Sequence, residues 1–80
     1  MDGTRTWHGR LYCQYFFIET RLSVQDGSWS AWVATPEEPT HATGRTALSA
    51  LVSALEPFQG MTLELLRSAP PSLMRLLEGS

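Results

Sequence analysis

Thr20-Arg21-Leu22-Ser23-Val24-Gln25-Asp26-Gly27-Ser28-Trp29-Ser30-Ala31-Trp32-Val33 is the stretch on which the fold turns. Asp26-Gly27 stands between two runs of strand-forming residues. Both central positions of a tight two-residue loop need positive φ, which Asp and Gly tolerate, so the pair predicts a β-hairpin. That loop sets the register, with Val24 opposite Trp29, Leu22 opposite Ala31 and Thr20 opposite Val33. These six share one face and make a core-facing stripe, while Arg21 and Trp32 point to the other side.

Upstream, Arg10 to Val24 is rich in aromatic and β-branched types (Tyr12, Tyr15, Phe16, Phe17, Ile18, Thr20, Val24) and reads as β. It is long for one strand, so a bend, a bulge or a second turn is expected near Glu19 to Arg21. Thr4 to Trp7 adds a short N-terminal strand, with His8-Gly9 as its turn. Downstream, Pro36-Glu37-Glu38-Pro39 reads as a loop, because two prolines exclude a central ladder position. Thr40 to Gly44 is a short third strand or an extended approach to a helix.

That helix is predicted over 46–56. Leu48, Leu51, Val52 and Leu55 recur at helical spacing as an apolar stripe, and the alanines and serines leave the outer face small. Thr46 is the N-cap and Pro57 the stop. Met61 to Arg67 admits two readings: Met61, Leu63 and Leu65 alternate as in a strand, whereas Leu and Glu favour helix. A strand over 61–66 is preferred, since a short segment after a helix that needs a sheet fits one. A last short helix over 71–78 carries Leu73, Leu76 and Leu77 on one side, with Pro71 near its start. The fold class is α+β: a small antiparallel sheet of a hairpin or three strands, a crossing helix, a further strand and a C-terminal helix, in one domain over 1–80.

Composition narrows the function. The 80 residues are 42% apolar, enough for one core, and at that size the stability margin is thin, so self-association is a natural way to bury more. The formal charge is −2, and the basic residues, all arginine, are scattered along the chain (Arg5, Arg10, Arg21, Arg45, Arg67, Arg75), unlike a dedicated duplex-binding surface. Cys13 is the only cysteine, which excludes an intramolecular disulfide and a zinc cluster and fits a reducing, cytoplasmic setting. No run approaches the ~20 apolar residues of a membrane span.

Asp26-Gly27-Ser28-Trp29-Ser30-Ala31-Trp32-Val33, a proline-bearing loop, and then Gly44-Arg45-Thr46-Ala47-Leu48-Ser49-Ala50-Leu51 together resemble the HicB-like antitoxin family over about residues 26–55. The family pattern is a Gly-aromatic-x-Ala strand, a proline loop and a Gly-x-Thr helix start with alanine on the inner face. The resemblance implies a partial RNase H-like fold in which Ala47 and Ala50 let the helix sit close on the sheet and a further strand lies beside it. It also implies a protein that binds and masks a partner and self-associates.

Catalysis is not expected. An RNase H-type centre gathers several carboxylates around divalent metals. Here Glu19 or Asp26 lies in the β region, Glu56 at the far end of the helix and Glu64 beyond it, with none near the helix start. His8 and His41, at loop-like positions, lack a spaced Cys or His partner, so no metal or cofactor is implied. Cys13 lacks an adjacent histidine and reads as a small core residue. Ser28, Ser30 and Ser49 lie in no nucleophile elbow. The aromatics are more telling. They cannot all point one way from a thin sheet, and the face away from the helices is expected to hold Tyr12, Phe16 and Trp32 beside Arg21. Aromatic-plus-arginine surfaces are enriched at protein interfaces, so these four are the candidate partner-binding residues. Two alternatives stand beside that reading: the face is closed by the N-terminal segment or the last helix, or it stacks single-stranded nucleic acid with Arg10, Arg21 and Trp32.

Overall fold

The computed structural model describes residues 5–79. Four strands run as an antiparallel meander in the spatial order of the sequence: β1 (Arg5–Tyr12), β2 (Phe17–Gln25), β3 (Ser28–Val33) and β4 (Thr40–Gly44). Three helices come after them, α1 (Ala47–Ala54), α2 (Thr62–Arg67) and α3 (Pro71–Gly79), with a 3-10 turn at Glu56–Phe58 between the first two. No helix among the described residues is long and apolar enough to cross a membrane.

The central hairpin forms as its turn chemistry dictates. Asp26 and Gly27 take φ of 54° and 79°, and Val24↔Trp29, Leu22↔Ala31 and Thr20↔Val33 face one another. All six are buried. Thr40–Gly44 is a full strand, paired with β3 through Ala31↔Ala42. The remaining β1–β2 connection differs from expectation. β1 runs straight through His8-Gly9 without turning, because Trp7, Gly9 and Leu11 alternate on the inner side with the Trp7 ring lying over Gly9. The chain reverses at Cys13–Phe16, where the Cys13 amide donates to the Phe16 carbonyl at 2.9 Å, and no bend falls at Glu19 to Arg21. Of the expected N-terminal strand, Thr4 lies outside the described residues.

Thr46 caps α1: its hydroxyl accepts from the Ser49 amide at 3.0 Å, and the Ser49 side chain accepts in return from the Thr46 amide at 3.5 Å. The buried face of α1 is Ala47, Ala50, Leu51 and Ala54, continued by Leu55 beyond its end, whereas Leu48 and Val52 of the expected stripe are exposed. Small residues win the sheet-facing side because they let the backbones approach. Gly44 belongs to the same fit, since a Cβ there would stand 2.9 Å from the Ala50 amide nitrogen. Leu55 caps α1 and Pro57 enters the 3-10 turn, which buries Phe58.

The segment expected as a strand over 61–66 is helical. In a strand Leu63 and Leu65 would share a face, yet Leu63 is 64% exposed and Leu65 is 0% exposed. The spacing that operates is i, i+4: the Leu65 amide bonds the Met61 carbonyl at 2.9 Å, and Met61 and Leu65 both pack on the core. The further strand implied by the family resemblance is therefore replaced by α2. The helix over 71–78 is present as α3, with Leu73 fully buried and Leu76 and Leu77 packed against the core.

Candidate functional site

The inner face of the sheet is used up by α1 and the core. The outer face is what the architecture leaves over, and cross-strand pairing arranges it in rows. Thr6, Ser23, Ser30 and Thr43 form one row across all four strands. His8, Arg21, Trp32 and His41 form the next, then come Arg10 with Glu19 and Tyr12 with Phe17. Residues directly opposite in a sheet have Cβ atoms about 5 Å apart, so each row is a line of contacts.

Two arginines stand over aromatic rings. The Arg21 guanidinium carbon sits 5.0 Å from the Trp32 ring centre, and that of Arg10 sits 4.7 Å from the Phe17 ring centre. Tyr12 packs on Phe17 with ring centres 5.9 Å apart at 49°. Each exposed arginine–ring stack contributes about 0.5–1 kcal/mol. Tyr12 and Phe17 remain 50% exposed, Arg21, His8 and His41 are exposed, and Trp32 is half-buried. Beside Arg21 and Trp32, Thr6, Ser23 and His8 edge a shallow depression of about 290 Å³.

Among the described residues, Glu19 is the one carboxylate on this face. It accepts from Arg10 Nε at 2.8 Å and stands 3.4 Å from His8 Nε2. The hydrogen bond from Arg10, with its charge, holds the Glu19 carboxyl below the usual range, and Glu19 in turn raises Arg10. The other described acids lie elsewhere: Asp26 at a hairpin tip, Glu37 and Glu38 in the proline loop, Glu56, Glu64 and Glu78 among the helices. A chain of formal charge −2 thus presents, among the described residues, a face with two arginines and two histidines against one glutamate.

Of the four candidate residues, Tyr12, Arg21 and Trp32 share the outer face. Phe16 does not. It sits in the β1–β2 connection and turns inward onto Phe58, ring centres 5.6 Å apart, against the core. Phe17 takes its place outside, because neighbours on an extended chain point to opposite faces. His8 and His41 are strand residues in the same row as Arg21 and Trp32 and not loop residues. The missed signal was the alternation Thr6-His8-Arg10-Tyr12 against Trp7-Gly9-Leu11, which reading His8-Gly9 as a turn had cut. The face is not closed by the last helix, which packs with α1 on the opposite side.

Cys13 is half-buried in the connection rather than on a strand. Glu64 accepts from the Gln14 amide at 2.6 Å, tying α2 to that connection. Among the described residues, no three of His, Cys, Asp and Glu come together closely enough to hold a metal ion. Comparison with protein-family models, with curated proteins and with solved structures finds no match.

Proposed function

We propose that this chain is a non-enzymatic protein-binding module whose recognition surface is the outer sheet face, centred on Trp32 under Arg21 and on Phe17 under Arg10, with Tyr12 beside it. The observation that carries this reading is that a whole face across four strands is left uncovered by the helices, yet is furnished with aromatic rings and arginines. Those side chains dominate binding energy at protein interfaces because they combine large area, few rotatable bonds and a polar handle. As the resemblance to HicB-like antitoxins implies, such a module masks a partner's surface and self-associates, and its single cysteine fits a reducing, cytoplasmic setting.

The test compares the purified chain with Trp32→Ala and Arg21→Glu by quantitative affinity capture after nuclease treatment. The expected result is a protein retained by the native chain and lost with both variants, which remain folded and melt within about 10 °C of it. Equal retention by all three would refute the assignment.

The segregation of charge favours one second reading, a small single-stranded nucleic-acid-binding protein. A cationic face with rings for stacking, on a chain acidic elsewhere, is the arrangement that groove-and-platform binders use. Binding of a poly(U) oligomer that weakens steeply with salt and depends on Arg10, Arg21 and Trp32 would select this reading over the first.

A further inference from the structure

The two arginines of the outer face are not equivalent. Arg10 is paired with Glu19, whose carboxylate accepts from its Nε at 2.8 Å and also faces His8. Arg21 makes no ion pair among the described residues. What holds it is the Trp32 ring, whose centre lies 5.0 Å from its guanidinium carbon. A contact of that kind restrains a cation while leaving its N–H donors unspent. The depression of about 290 Å³ at its side is furnished to match. Its polar lining is the Arg21 guanidinium, the His8 imidazole and the hydroxyls of Thr6 and Ser23, all groups that can donate a hydrogen bond. Among the described residues, no carboxylate lines it. The register explains why these donors converge: Thr6 stands opposite Ser23 and His8 opposite Arg21, in adjacent rows of the β1–β2 ladder.

We infer that this depression is a carboxylate-binding site, and that the partner of the outer face is a protein that presents an Asp or Glu side chain to Arg21. A guanidinium takes a carboxylate bidentately, and the neighbouring hydroxyls supply further donors. Charge restricts where such a partner can land. The chain is −2 overall, and its other described acids lie at the hairpin tip, in the proline loop and among the helices. An acidic surface is repelled from those sides and admitted here, which fixes its orientation. The same geometry disfavours a strand of nucleic acid. Arg10 lies one row beyond His8, about 7 Å along β1, and a second phosphate there would meet Glu19 instead of a free cation. A single carboxylate with an apolar neighbour fits what the face offers, since the row after Arg10 and Glu19 is Tyr12 and Phe17. Arg21 and Phe17 are about 13 Å apart along β2, which sets the spacing of the two anchors on the partner. This inference rests on reading the outer face as a protein-binding surface, and it adds the chemistry of what that surface binds.

The probe is a displayed library of random peptides, selected on the native chain, with the recovered peptides resynthesised for titration. They are expected to be enriched in Asp or Glu, with an apolar residue about four positions away in an extended segment. Arg21→Gln should weaken them at least about tenfold, whereas Arg10→Gln should weaken them less than about threefold. Replacing the peptide's acidic residue by its amide should cost as much on the native chain, and nothing further once Arg21 is gone. That substitution is made in the peptide, so it tests the contact without disturbing the fold. Recovered peptides with no acidic enrichment, lost in Trp32→Ala, would overturn the carboxylate assignment and leave the protein-binding reading standing. Recovery of no peptide that depends on Arg21 or Trp32 would overturn both. An oligouridylate that displaces the acidic peptides and needs Arg10 as much as Arg21 would overturn the assignment in favour of nucleic acid.

Discussion

Thr20 is fully buried on the inner face of β2, and its hydroxyl has no hydrogen-bond partner. Thr20→Val therefore isolates one physical quantity. Both side chains are β-branched and nearly equal in shape, so strand preference and packing are conserved. A buried hydroxyl left unpaired costs about 1–3 kcal/mol, and the methyl that replaces it adds up to about 0.8 kcal/mol of apolar burial. Allowing for partial relaxation around the hydroxyl, the expected gain is about 1–2 kcal/mol. For a domain of this size each kcal/mol moves the midpoint by roughly 4–8 °C, so thermal unfolding followed by circular dichroism should shift upward by about 5–15 °C. Urea unfolding should give a higher midpoint with an unchanged slope. A loss of stability would mean that the hydroxyl is bonded after all. The register that sends Thr20 inward, and with it Glu19 and Arg21 outward, would then have to be redrawn.

The two faces should also separate under mutation. Trp29→Ala, in the core, should cost about 3–5 kcal/mol, while Trp32→Ala on the outer face should cost about 1 kcal/mol, both by denaturant melts. Leu65→Ala should cost about 2–5 kcal/mol and Leu63→Ala less than 1 kcal/mol, roughly; equal costs would contradict the helical periodicity of α2. Glu19 is predicted to titrate below an ordinary glutamate by carbon-detected NMR and to move back up in Arg10→Ala. Because its folded value lies below its unfolded one, its contribution is present above the unfolded value near 4.5 and is lost as pH falls through the folded one.

What was legible in the sequence is what local chemistry decides. Asp26-Gly27 can do little but turn, and the turn fixes the six inward residues of the hairpin at once. Thr46 with Ser49 marks a helix start by its own hydrogen bonds, and Pro71 marks another. The errors fall where tertiary contact decides. Cys13-Gln14-Tyr15-Phe16 contains no Gly, Pro, Asn or Asp, and it is held from outside: Glu64 of α2 takes the Gln14 amide, and Ser68 just past α2 takes the Tyr12 amide beside it. Its position could not be read without knowing that α2 lies alongside. Misplacing it shifted Phe16 and Phe17 to the wrong faces and hid His8 in a turn, so one connection accounts for most of what was missed in the candidate site. The rotation of α1 has the same origin. Leucines maximise buried area, but a face that must meet a flat sheet beside Gly44 is decided by how close the backbones come, and there alanine wins.

The outer face carries its own cover. Exposed rings favour aggregation, so what lies over them matters. A guanidinium over Trp32 or Phe17 covers the ring while staying hydrated. Glu19 belongs to the same device, since its hydrogen bond with Arg10 fixes the arginine that stands over Phe17. Glu19→Ala should therefore loosen the stack that shields Phe17. A Glu19→Ala chain with Phe17 no more mobile by NMR relaxation would show that the stack holds without the carboxylate.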